Sequence, residues 1–357
     1  MSGKKTETWM IYGAYGYSGD LIAREAANQG LTPILAGRSE AKLAPLAGEL
    51  GLEHRAFGLD DPAEVARHLE GVDLVLHCAG PFSATAPPMI EACITAGAHY
   101  LDITGEIAVF EHAFAQHWLA NEAGVVLCPG VGFDVIPTDC VAAHLAAALP
   151  DATHLTLGFD SRSGFSPGTA KTSVEGLAGG GKVRKGGGIA TVPLAFGVRR
   201  IDFGDGEKLA MTIPWGDVST AWYTTGIPDI EVYIPASPGL VKRLKRLNWI
   251  RPLLGLGLVQ SFMKSRIAKS VRGPDAATRE RQPTHVWGEA VNAEGAKRVA
   301  RIKTANGYTV TLHGSLEVVK HMLAHAPDGG TYTPSKLVDK DLVKRLPGSG
   351  ELRIEEA

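Results

Sequence analysis

Cysteine is scarce in this chain of 357 residues: Cys78, Cys93, Cys128 and Cys140 stand far apart, with no CxxC pair. A chain this long needs no disulfide staples, so the four read as free thiols in a reducing compartment. No His, Cys or Asp cluster has zinc-ligand spacing, and no metal is expected. Long hydrophobic runs are missing too. The longest, Pro252 to Met263, falls short of the roughly 20 apolar residues that cross a bilayer. Nor does one sign of charge dominate: 36 basic and 38 acidic residues leave a net charge of −2. That balance supplies no field to gather a polyanion, so nucleic acid is not an expected partner. The segment Met1 to Thr8 carries lysines without an apolar core or cleavage pattern, and the expectation is a cytoplasmic protein.

What is present is ordinary globular composition, 45% hydrophobic and 21% charged, in a length that suggests two domains. From Thr8 short apolar runs alternate with helical patterns. Strands are expected at Trp9–Tyr12, Pro33–Ala36, His54–Leu59, Val72–Cys78, His99–Ile103 and Gly124–Cys128. Helices are expected near Asp20–Gln29, Pro62–Leu69, Pro87–Ala96, Val109–Asn121 and Cys140–Leu149. Parallel strands need crossover helices, so this alternation predicts an α/β Rossmann domain, a doubly wound parallel sheet, over residues 1–149. From Pro150 the texture changes to alternating strands such as Leu155–Phe159 and Ile230–Ile234. A late hairpin pattern runs through His285–Ala290, Ala300–Thr304 and Tyr308–Leu312, with Asn-Glu-Gly and Asn-Gly turn signals. Residues 150–315 read as an α+β substrate domain, and the tail from Leu316 as helical.

The sharpest motif is Gly13-Ala14-Tyr15-Gly16-Tyr17-Ser18-Gly19, placed directly after a strand and before a helix. Gly13 suits the tight turn, Gly16 the approach of backbone amides to a pyrophosphate, and Gly19 close packing of helix on strand. The helix dipole favours the anion. Tyr15, Tyr17 and Ser18 complete the phosphate loop. The second strand ends Gly37-Arg38-Ser39, where an NAD site would carry an acid for the ribose hydroxyls. Arg38 suits a 2′-phosphate instead, with Ser39 as a further donor, so NADP is the expected cofactor; Glu40 beside them argues mildly the other way. Against the cofactor reading of Arg38 stands the plain one of a solvated surface arginine.

Ligands of open α/β sheets lie at the carboxyl ends of the strands, which selects three more loops. These are Ala79-Gly80-Pro81-Phe82, then Asp102 to Glu106 with Thr104, then Pro129 to Asp134. Asp102 and Glu106 are candidate orienting or proton-relaying acids, and Asp134 a candidate for positioning substrate. Each has a structural alternative as a cap or turn stabiliser. His77, inside an apolar strand, reads as a core residue. The run Gly176 to Lys182 has P-loop spacing, but Val183 replaces the magnesium-binding hydroxyl.

Taken in order, GAYGYSG, AGRS, CAGPF, YLDITGE, PGVGFDVIPTD and GGTYTP resemble the saccharopine dehydrogenase-like oxidoreductases, in particular the subgroup that includes the bacterial trans-acting enoyl reductases and the saccharopine dehydrogenase-like proteins of animals. The resemblance implies an NADP-binding Rossmann domain, a central substrate domain and a C-terminal segment, here 316–357, packing back on the first. It implies hydride transfer to an activated C=C or C=N bond. No arginine-rich motif matches the family's amino-acid site. With Phe165, Leu194, Phe196, Trp215, Trp222 and Tyr223 in the central region, an apolar small-molecule substrate is expected. The alternatives are a non-catalytic NADP-binding regulator or membrane-associated adaptor, and an amino-acid dehydrogenase of saccharopine type. A homo-oligomer, most simply a homodimer, is the expected assembly. The basic, partly apolar stretch 241–269 suits either a peripheral membrane or lipid-carrier contact, or a lid packed on protein.

Overall fold

The computed structural model describes residues 6–161, 176, 178–254, 256, 257, 259 and 282–356. Phe165, the first part of the glycine-rich run and residues 255, 258 and 260–269 of the basic stretch lie outside the described residues. Two units divide the chain: Met1–Ile136 with Tyr308–Leu342, and Pro137–Gly307 with Val343–Ala357.

The first unit alternates β1 (Trp9–Tyr12), α1 (Tyr17–Asn28), β2 (Ile34–Gly37), α2 (Glu40–Leu50), β3 (His54–Ala56), α3 (Pro62–His68), β4 (Leu74–His77), α4 (Phe82–Ala96), β5 (His99–Asp102), α5 (Ile107–Ala115), α6 (His117–Glu122) and β6 (Val126–Cys128). The sheet has seven strands, ordered Gly330–Thr331, β6, β5, β4, β1, β2, β3, all parallel. β1, β2, β4 and β5 are buried at every position, which is why they read as short continuous apolar runs. The order reverses between β1 and β4, the switch point where such sheets open a crevice at their carboxyl edge. The returning tail adds its strand through Thr331, whose N–H donates to His117 Nδ1 (3.0 Å) and whose hydroxyl donates to the Ala113 carbonyl (2.9 Å).

The second unit carries α7 (Ile136–Ala148), β7 (Ala152–Ser161), β8 (Gly181–Lys185), β9 (Gly188–Val192), β10 (Val198–Asp202), β11 (Glu207–Thr212), β12 (Asp229–Pro235), β13 (Thr284–Asn292) and β14 (Lys297–Thr304). Its sheet is mixed: β7 pairs with β12 in parallel and with β13 antiparallel. The helix α7 lies close on this sheet, because a glycine faces it: a Cβ at Gly288 of β13 would stand 2.6 Å from Val141 and 2.8 Å from Leu145 of α7.

Three sequence boundaries move. Because α7 presses on β13, the division falls before this helix, at 136/137, and not at 149/150. The expected strand Tyr308–Leu312 is instead the start of the helix Gly307–Ala324, in which Val310, Leu316, Val318, Val319 and Met322 are buried at helical spacing. Tertiary burial overrides the local β preference and the Asn-Gly turn signal. Of the tail, Tyr308–Leu342 belongs with the parallel sheet, but Arg353–Glu356 pairs antiparallel with β14, so residues 343–357 belong with the second unit. Among the described residues no helix is long and apolar enough to cross a membrane.

Candidate functional site

The loop after β1 is built by close backbone approach. Gly13 has φ +86°, and a Cβ there would stand 2.9 Å from both the backbone nitrogen and Cβ of Ala79. The Gly13 and Ala14 N–H groups donate to the Ala36 carbonyl (2.7 and 3.1 Å), and the Gly16 N–H donates to the Gly13 carbonyl (2.9 Å). A Cβ at Gly19 would overlap the Gly13 carbonyl oxygen. No side chain caps α1, which starts just beyond Gly16 with Tyr17 and Ser18 in its first turn. A glycine loop feeding an uncapped helix end is the geometry that receives a phosphate. Tyr17 stands edge-on to Tyr308 at 5.1 Å.

At the end of β2, Gly37 lets the Tyr15 ring lie against the backbone, since a Cβ there would be 2.8 Å from the ring. Arg38 is exposed, and the Ser39 hydroxyl makes no capping bond to α2. Glu40, which argued against NADP, pairs with His54 at 2.8 Å. Lys42, not singled out from the sequence, holds its ammonium 5.4 Å from the centre of the Tyr15 ring. A cation in the first turn of a helix opposes the dipole, and that was the signal available for it. Arg38, Ser39, Lys42 and the glycine cradle together fit a dinucleotide bearing a 2′-phosphate.

The loops after β4, β5 and β6 are held by side chains. Glu106 accepts the N–H groups of Phe82 and Ser83, each at 2.9 Å, and so caps α4 beside Ala79, Gly80 and Pro81. Its own N–H donates to the Thr104 hydroxyl (3.1 Å). Asp102 is fully buried: Oδ1 accepts from the amides of Thr104 (2.9 Å) and Gly130 (2.8 Å), and Oδ2 from the Tyr100 hydroxyl (2.6 Å). Tyr100 and Asp102, two apart on a strand, share a face, a pairing the sequence spacing permits. Burial pushes Asp102 up to about 6 against the pull of these three donors. Both of its oxygens are engaged by the protein, and these bonds tie the loops after β5 and β6 together.

Asp134 is different. It is half-buried, its Oδ2 would lie 2.6 Å from a Cβ at Gly105, and desolvation lifts it to about 7. Desolvation thus lifts the Asp134 carboxyl further than that of Asp102, whose three donors pull the other way. His77 is a core residue: burial lowers it to about 3, and its Nε2 meets Thr85 Oγ1 at 3.0 Å. The Thr85 hydroxyl donates to the Ala79 carbonyl (2.6 Å), so His77 Nε2 carries the proton. Several central aromatics serve their own unit: Trp215 packs on Phe159 (4.9 Å), Arg184 lies over Trp222 and Tyr223, and Leu194 is buried, leaving Phe196 exposed. Among the described residues no group of His, Cys, Asp or Glu is placed to hold a metal.

A Rossmann sheet with a glycine phosphate loop and a cationic β2 end defines a dinucleotide-binding protein. Residues 9–128 match the family model of the saccharopine dehydrogenase NADP binding domain, and that match indicates NADP(H) as the cofactor. A saccharopine dehydrogenase-like oxidoreductase of Bos taurus is 30% identical over 36% of this chain and 35% of its own length. A trans-acting enoyl reductase of Mycobacterium bovis is 32% identical over 36% of this chain and 33% of its own. The matches thus span about a third of these relatives. In fold, the chain is similar to saccharopine dehydrogenase (L-Glu forming) of Saccharomyces cerevisiae, with a TM-score of 0.67, 12% identity, and coverage of 98% of this chain and 100% of that one.

Proposed function

We propose that this protein is an NADP(H)-dependent oxidoreductase that reduces an activated C=C or C=N bond in a small, largely apolar molecule. The observation that carries this reading is the pairing, on one sheet's carboxyl edge, of an NADP cradle with a carboxyl group, Asp134, that titrates near neutrality. When bound, the nicotinamide supplies a hydride to one atom of the double bond. Asp134 gives its proton to the other, which completes the reduction. Asp102 and Glu106 keep the loops after β4, β5 and β6 in register around the reacting atoms. Arg38, Ser39 and Lys42 hold the 2′-phosphate, and the loop Gly13 to Gly19 holds the pyrophosphate. The names of the enoyl reductase and oxidoreductase relatives support the reaction type.

The test is NADPH oxidation against a panel of enoyl thioesters and imines. Turnover that falls as pH rises through about 7, and that drops about 100-fold in Asp134→Asn with NADPH binding kept, is the expected result. NADPH bound tightly and oxidised by no member of the panel would leave a binding protein without catalysis.

A further inference from the structure

The helix Pro238–Leu247 and the 3-10 turn Asn248–Ile250 form a surface that the reductase reading does not use. One face is anchored: Val241 and Leu244 pack with Ala195, Met211 and Ile234. Asn248 clamps the turn by donating to the Leu194 carbonyl (3.2 Å) and accepting its N–H (2.8 Å). The other face is cationic. From Ser237 to Arg251 there are five basic residues and no acid, in a chain whose net charge is −2. Among the described residues no carboxylate pairs with Lys242, Arg243, Lys245 or Arg246.

On this face an open groove of about 470 Å³ lies between Gly239, Lys242, Arg243, Arg246, Leu247 and Ile250. Next to it Trp249 is 90% exposed and Ile250 46%. A tryptophan held outward by a clamped turn, beside exposed cations with apolar stems, has the chemistry of a membrane interface: indole at the headgroup level, cations on phosphates. We propose that this face docks the protein peripherally on an anionic lipid bilayer, with Trp249 inserted and Lys242, Arg243 and Arg246 against the headgroups. Charge complementarity and the exposed indole select that surface.

The experiment is co-sedimentation of the full chain with vesicles of phosphatidylcholine alone or with about one third phosphatidylserine, at low and high salt. Binding only to the anionic vesicles, weakened by salt, is expected, with a blue shift in emission that Trp249→Phe removes. Each of Lys242→Ala, Arg243→Ala and Arg246→Ala should weaken binding about five-fold, and Trp249→Ser about ten-fold. All four sites are exposed, so unchanged unfolding curves will show that the fold survives. Equal binding to both vesicle types, no binding, or no effect of these substitutions would overturn the proposal. So would a dimer abolished by Trp249→Ser in protein that ignores vesicles, which would assign the face to a second copy.

Discussion

The two halves of the first unit's carboxyl edge are built by opposite means. Around β1 and β2 the chain removes side chains, with glycines at 13, 16, 19 and 37, and leaves the cations Arg38 and Lys42 at the surface. Around β4, β5 and β6 it uses its polar side chains internally: Asp102, Thr104 and Glu106 are taken up by the backbone of neighbouring loops. The first region leaves room for a ligand because its glycines carry no side chains and no side chain caps α1. The second is a brace, and within it burial lifts Asp134 to about 7 and Asp102 to about 6.

Substitutions can break this contrast. The largest effect is expected from Gly13→Val, which meets both a left-handed φ and Ala79; NADPH binding should fall by more than about 100-fold, and fluorescence titration reads it. Asp102→Ala strands three buried donors and should cost about 3 kcal/mol in chemical denaturation, confirming a brace. A loss of turnover with stability unchanged would return Asp102 to the chemistry. Glu106→Gln keeps one acceptor oxygen and should cost about 1 kcal/mol by the same measurement.

The smallest effect is in pH dependence. Asp134 and Asp102 both bind their protons more tightly when folded, at about 7 and about 6. Their contribution to stability is therefore fully present below the unfolded carboxyl value of about 4 and is lost as pH rises through the folded values. Thermal unfolding should show Asp134→Asn losing less stability than the parent between about pH 5 and about pH 8.

Much of the first region was legible because its physics is local. A glycine needed for close approach, an arginine where an acid is usual, and apolar runs separated by helices all leave marks within a few residues. The roles in the second region were not, because they depend on partners far along the chain: Glu106 on Phe82, Asp102 on Gly130. From sequence the three acids look alike, and only their surroundings in the fold, two amides at Glu106, three donors at Asp102 and desolvation at Asp134, tell them apart. The same holds for Tyr308–Leu312, whose β-prone residues form a helix because their burial follows a helical period. Lys42 was readable in principle, as a cation set against the α2 dipole.

The measurement that tests the account most directly is the titration of the parent chain and of Arg38→Ala with NADPH and NADH, followed by nicotinamide fluorescence. The parent should bind NADPH at least about ten-fold more tightly than NADH, and Arg38→Ala should erase that preference while leaving NADH affinity nearly unchanged. Equal loss of both cofactors, or a preference for NADPH that survives the substitution, would contradict the assignment of the 2′-phosphate to Arg38.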